Sequence, residues 1–290
     1  MSDREGRVEA TAGIPSGGPV SSVAVIGAGI MGGGIAALLA TSGFDTRLYD
    51  PQPVALERAG ARFEKLAARL AAGAVSGSLS LHSDLAAAAS GCDLVIEAVP
   101  ERLELKTALF AQLDAICKAG CILATNTSEL SVTAIGAATG RPQDVVGMHW
   151  FNPPERMQLV ELVRGALTGE AALVTARAVA EACGKTCVTV ADRQGFVTTR
   201  AVAVLMLEGI RMLEEGVASR EDIDVAIRMG LNHPMGPLEL ADYIGLDTVL
   251  LIAESLRGAL GDSFRPPQTL RKLVESGRLG RKSGGGFYDY

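Results

Sequence analysis

Apolar positions recur along this chain in two rhythms. Short β-rich runs, VAVIG at 23–27, DLVIEAV at 93–99, CILAT at 121–125 and DVVGMHW at 144–150, read as buried strands. Longer segments between them carry the helical spacing: IMGGGIAALLATSG ending at Gly43, the alanine-rich stretch 54–72, and ERLELKTALFAQLDAIC with Leu103, Leu105, Leu109, Phe110 and Leu113. DTRLYD is a further strand, SVTAIGAAT a further helix, and AALVTARAVAEACG followed by KTCVTVAD one more helix–strand unit. Such alternation predicts an α/β, Rossmann-type doubly wound, mostly parallel sheet with helices on both faces. Beyond Arg200 the pattern turns helical, and Ser219 with Asp222 three residues on has the form of a helix start. We therefore expect a polar, disordered tail over 1–20, a nucleotide-binding domain over 21–203, with the boundary near 200–205, and an all-helical domain over 204–290.

In an open parallel sheet, ligands gather at the carboxyl ends of strands. Asp50, Glu97, Ser128 and His149 all fall at or just past predicted strand ends. The first strand leads into Gly27–Ala28–Gly29–Ile30–Met31–Gly32, a G-x-G-x-x-G turn opening a helix. Gly27 suits the tight turn, Gly29 the approach of a pyrophosphate and Gly32 close packing of helix on strand. The helix start at Ile30 and Met31 offers free N–H groups to an anion. Asp50, 18 residues after Gly32, can accept ribose hydroxyls and repels a 2′-phosphate, so the expected cofactor is NAD. The extra Gly33 and Gly34 suggest closer helix packing and no cofactor role.

His149 ends an apolar strand, and Glu161 follows twelve residues later between Val160 and Leu162. A charge in such company needs a partner. Either the two satisfy each other in a core, or they are an acid/base pair in which the carboxylate fixes the imidazole tautomer. Ser128, in Asn126–Thr127–Ser128, can polarise a substrate oxygen or cap the following helix. Asn152, ahead of Pro153 and Pro154, can orient a nicotinamide or a substrate. His82 reads as a solvated residue of a polar loop and His233 as a turn residue. With His149 as general base these groups suit hydride transfer from an alcohol.

Composition narrows the picture. The net charge of −6 over 290 residues argues against nucleic acid or an anionic membrane. No stretch reaches bilayer-spanning length. The five cysteines have no C-x-x-C pair, consistent with reduced thiols in a cytoplasmic protein. Cys117/Cys121 and Cys183/Cys187 are spaced to share helix faces. We expect no metal.

The runs VAVIGAGIMGGGIA, DLVIEAVPERLELK, NTSEL, GMHWFNPP, LVELVRG, GFVTTR, NHPMGPLELADYIGLD and GRKSGGGFYDY follow one another as in the short-chain L-3-hydroxyacyl-CoA dehydrogenases of the 3-hydroxybutyryl-CoA type, which this sequence resembles from about 21 to 290. The resemblance implies NAD-dependent interconversion of 3-hydroxyacyl and 3-ketoacyl thioesters in fatty acid metabolism. It also implies a homodimer built by the helical domain, and a substrate cleft between the domains. It makes His149 and Glu161 the catalytic pair, puts Ser128 on substrate and cofactor, and puts Glu97, Arg102, Asn152 and Lys282 on NAD. On its own residues GRKSGGG, which holds Lys282, reads as a basic, flexible tail.

Three departures stand out. Thr199 replaces an asparagine the family usually uses on substrate, Glu129 replaces a serine beside Ser128, and Leu66 and Gly73 stand where polar CoA contacts are common. Lys65, Arg62 and Arg69 remain nearby. An acyl-carrier-protein thioester is thus an alternative to acyl-CoA, and a non-catalytic NAD-binding homologue a second. A lysine-based 6-phosphogluconate or 3-hydroxyisobutyrate type fits less well, because GFVTTRAVAV offers no lysine.

Overall fold

The computed structural model describes residues 20–69 and 77–290. The expected tail, Gly73 and the end of the 54–72 helix lie outside the described residues. Eight strands form one sheet in the order β3-β2-β1-β4-β5-β6-β7-β8. They are β1 (Ser22–Ile26), β2 (Asp45–Tyr49), β3 (Ser78–His82), β4 (Leu94–Glu97), β5 (Ile122–Thr125), β6 (Val145–Trp150), β7 (Leu159–Arg164) and β8 (Thr186–Ala191). All neighbours run parallel except β6 and β7. The chain reverses its direction of winding between β1 and β4, which opens a crevice at their carboxyl ends.

Alternate strand residues feed opposite layers. Val23, Val25, Leu94 and Ile96 pack with α1 (Ile30–Thr41), α2 (Pro53–Ala67) and α6 (Glu170–Ala182). Ala24, Ile26, Val95 and Leu123 pack with α3 (Leu85–Ala89), α4 (Leu103–Ile116) and α5 (Val132–Gly136). The helical part comprises α7 (Thr198–Glu214), α8 (Arg220–Gly230), α9 (Pro237–Ile244), α10 (Leu246–Leu260) and α11 (Gln268–Glu275). It has its own core around Met206, Leu207, Ile210, Leu238 and Leu256. Ser219 caps α8 by accepting from Asp222 N at 3.1 Å. No helix among the described residues is long and apolar enough to cross a membrane.

Several local expectations change. His82 ends an edge strand, where its Nε2 lies 2.9 Å from Ser80 Oγ, because SLSLH alternates as a half-covered strand does. Cys117 and Cys183 cap helices and Cys121 and Cys187 belong to the segments that follow, so neither pair shares a helix face. The GRKSGGG segment is packed, not a loose tail. Gly280 bridges Gly285, and Asp242 accepts from Phe287 N and Tyr288 N at 2.9 and 2.8 Å.

Candidate active site

The glycine turn sits at the end of β1. Gly27 has φ 103°, and a Cβ there would lie 2.8 Å from Ala98 O. A Cβ on Gly32 would lie 1.7 Å from Gly27 O, so helix and turn touch backbone to backbone. Gly29 is different: a Cβ there would meet nothing of the protein within 4 Å. The open space lies at the start of α1, where helix N–H groups lack intrahelical acceptors. Asp50 binds Ala28 N at 2.8 Å through Oδ2 and Gln52 N at 2.9 Å through Oδ1, which leaves further lone pairs for ribose hydroxyls. These groups fit a dinucleotide. Gly33 lies against Ala59 and Gly34 against Arg62, both on α2, as close helix packing requires.

β6 and β7 form an antiparallel pair with His149 directly opposite Glu161. Both side chains then project from one face. His149 Nδ1 is 2.7 Å from Glu161 Oε2, and both residues are buried. Glu161 also accepts from Thr198 Oγ1 at 2.9 Å, Thr198 N at 3.0 Å and Val197 N at 3.2 Å. Burial raises its carboxyl, but the bonds from His149 and Thr198 outweigh that and hold it below the ordinary range. The imidazole lies between Phe151 and Phe196, at 4.4 and 5.9 Å between ring centres. With Nδ1 donating to a carboxylate, Nε2 is the basic nitrogen, and it has no protein partner among the described residues.

The Asn126–Thr127–Ser128 loop follows β5. Ser128 is exposed, and its N–H donates to Glu101 Oε1 at 2.8 Å, as does Thr127 Oγ1 at 2.5 Å. Asn126 Oδ1 accepts from Trp150 N at 3.0 Å, which ties this loop to the backbone beside His149. Beneath it Lys106 is wholly buried. Its ammonium donates to Glu97 Oε1 at 2.7 Å and Asn126 O at 3.3 Å, and lies 3.2 Å from Glu101 Oε2. Glu97 further accepts from Thr125 Oγ1 and Val99 N, at 2.7 and 2.6 Å.

This corrects the placing of Glu97 on the cofactor: its carboxylate is buried and engaged in the protein interior. Glu101, four residues on, is the carboxylate that reaches the Ser128 loop. Sequence reasoning missed Glu101, Lys106 and Thr198. Lys106 left a signal, because it falls on the inward stripe of α4 with Leu103, Phe110 and Leu113.

Arg102 is exposed at the start of α4. Asn152 lies exposed in the turn after β6. Thr199 is buried in the first turn of α7, one residue after Thr198. Ile30 is 72% exposed at the glycine turn, with Met31 half-buried beside it. Lys282 is in the C-terminal segment, 2.5 Å from Asp247 Oδ1; among the described residues no hydrogen bond joins it to the glycine turn. The described residues contain no cluster of metal-ligating side chains.

Comparison with known proteins gives the class of protein to which this fold belongs. Residues 22–193 match the 3-hydroxyacyl-CoA dehydrogenase NAD binding domain, and residues 195–290 match the 3-hydroxyacyl-CoA dehydrogenase C-terminal domain. A probable 3-hydroxybutyryl-CoA dehydrogenase of Bacillus subtilis is 47% identical over 281 residues, covering 93% of this chain and 98% of the relative. The crystal structure of (S)-3-hydroxybutyryl-CoA dehydrogenase from Ralstonia eutropha superposes with a TM-score of 0.89 at 36% identity, covering 93% of this chain and 99% of that one. The chain belongs to the 3-hydroxyacyl-CoA dehydrogenase family. It is an NAD-dependent dehydrogenase.

Proposed function

We propose that this protein interconverts a 3-hydroxyacyl thioester, 3-hydroxybutyryl-CoA in its simplest form, and the corresponding 3-ketoacyl thioester. The bound NAD supplies the hydride-accepting ring. His149 Nε2 takes the hydroxyl proton as the hydride leaves the same carbon, and Glu161 carries the balancing charge of the imidazolium. Ser128, exposed and with no hydrogen bond to its hydroxyl among the described residues, donates to the reacting oxygen. We assign Asn152 to the cofactor and Thr199 to the substrate. The observation that carries this reading is the 2.7 Å contact from His149 Nδ1 to Glu161, which leaves the lone pair on Nε2, without a partner among the described residues. The test is oxidation of NADH with acetoacetyl-CoA. His149→Gln and Glu161→Gln should each slow turnover by about 10²-fold or more while NADH affinity stays nearly intact. Normal turnover in either variant removes the dyad.

A second reading, a carrier-protein thioester, is favoured by one observation. Arg62, one of the basic residues near the positions of Leu66 and Gly73, donates instead to Ile30 O and Glu155 at 2.6 and 2.8 Å. A pantetheine arm on a protein needs no such grip. Comparing rates on short acyl-CoA thioesters and their carrier-protein counterparts decides between the two. The domain boundary we propose, between 203 and 204, falls within the first half of α7 (Thr198–Glu214). Exposed Val217, Val225, Met229, Leu231 and Leu251 in the helical part support a homodimer. The five free cysteines suit the reducing cytoplasm.

A further inference from the structure

Between α1, α2 and the turn after β6 lies a contact that the proposed chemistry does not use. Arg62, in the third turn of α2, reaches in two directions. Its Nη1 donates to Ile30 O at 2.6 Å, at the first residue of the helix that the glycine turn opens. Its Nη2 donates to Glu155 Oε2 at 2.8 Å, three residues after Asn152. The guanidinium occupies space left by Gly34: a Cβ there would lie 2.7 Å from Arg62 Nη2 and 2.8 Å from its central carbon. The loop on the far side is stiff. Buried Lys185 donates from below to Pro154 O at 2.7 Å and Met157 O at 2.8 Å, and Arg156 N and Met157 N close back on Pro153 O at 3.0 and 3.1 Å.

A rigid loop can shift only as a unit, and among the described residues Glu155 is its charged attachment to α2, through Arg62. We propose that Arg62 and Glu155 form a strut fixing the start of α1 relative to the Asn152 turn, so that both are positioning residues for the reaction. A planar guanidinium suits this role because its fork binds a carbonyl and a carboxylate at once. The strut sets the distance between the cofactor's phosphate end and the turn carrying Asn152. The inference rests on the reading of Asn152 as a cofactor- or substrate-side group, and it makes Glu155, which is far from the glycine turn in sequence, matter for NADH affinity.

The test is a set of variants of the full chain, with NADH affinity measured by nucleotide fluorescence without substrate. KM and kcat are then measured with acetoacetyl-CoA and with its pantetheine analogue. A half-exposed ion pair is worth little, so the expected effect is small. Glu155→Ala should weaken NADH binding roughly two- to five-fold and raise the thioester KM by a similar factor, with kcat changed less than about two-fold. Arg62→Met should do the same, and the double variant should be no worse than the worse single one, because both remove one contact.

Gly34→Ala leaves both charged residues in the sequence. It should reproduce the NADH effect by displacing the guanidinium, without lowering the melting temperature, since alanine favours the helix. Glu155→Gln, which keeps an acceptor oxygen, should fall between wild type and Glu155→Ala. Unchanged NADH affinity in Glu155→Ala, or additive losses in the double variant, overturns the strut. So does an Arg62→Met effect confined to the CoA thioester and absent with the pantetheine analogue, which would make Arg62 a CoA contact. Wild-type turnover in the same series tests the proposed reaction separately, because NADH binding does not depend on the acyl substrate.

Discussion

Four donors converge on Glu161: His149 Nδ1, the Thr198 hydroxyl, and the N–H groups of Thr198 and Val197. A buried carboxylate with that many donors stays ionised, and an ionised partner is what makes the histidine basic at its other nitrogen. Thr198→Val removes one donor of nearly the same volume. Because the folded-state carboxyl is held below its unfolded value, the stability it contributes is present above about pH 4.5 and lost as pH falls through the folded value. Thr198→Val should therefore cost about 1.5 kcal/mol at neutral pH, shrinking toward zero in acid, as urea titrations across pH would read. The acid limb of the rate profile should move upward as Glu161 becomes easier to protonate. His149 and Glu161 were legible in the sequence because polar residues in apolar strands demand partners. Thr198 was not, because a threonine opening a helix carries no sign of the strand 37 residues earlier that its hydroxyl meets. Glu97 misled for a related reason. A carboxylate at a strand end looks available to a ligand until a lysine of the next helix is seen to enclose it.

The turn between β1 and α1 separates two uses of glycine that look alike in G-x-G-x-x-G. Gly32 is needed by the protein, since a Cβ there would overlap Gly27 O at 1.7 Å. Gly29 meets no protein atom, so its missing side chain serves whatever enters that space. Gly29→Ala should keep its melting temperature within a few degrees of wild type, yet lose NADH affinity by roughly tenfold or more. Gly32→Ala should lose about 2 kcal/mol or more of stability together with binding. Thermal melts beside NADH titrations check both, and equal melting losses in the two would remove the distinction. At this scale the regular strand–helix units were readable because their periods differ. Asn152–Pro153–Pro154 marks a turn with room for Glu161 to come back to His149, but MQLVELV is not assigned as a strand from the sequence. The pairing that opposes His149 to Glu161 shows only in the register. β3 escaped because a short edge strand of serine and leucine has the composition of a loop.

Across the whole molecule, the helical part meets the sheet part near the Ser128 loop, and Glu129 stands in that junction. Gln194 Nε2 donates to Ser255 Oγ on α10 at 2.6 Å, and Gly195 abuts Leu256. Glu129 lies toward Ser255, with Oε2 buried and lacking a hydrogen-bond partner. Burial pushes its carboxyl upward, helped by the charge on Glu101, while Ser255 opposes. A carboxyl whose folded value is raised favours the folded state most where it is protonated. Its contribution is complete below the unfolded value near pH 4.5 and is lost as pH rises through the folded one. At neutral pH the junction therefore holds a group that destabilises it, at the position where relatives by resemblance carry a neutral serine. Glu129→Gln keeps the shape and removes the titration. It should raise stability at pH 7 by about 1 kcal/mol, with the gain vanishing below about pH 4.5. Urea titrations of both proteins at several pH values read this directly. A gain independent of pH would mean the amide improves packing alone, and no gain at pH 7 would mean that the Ser255 hydroxyl offsets the burial of the charge.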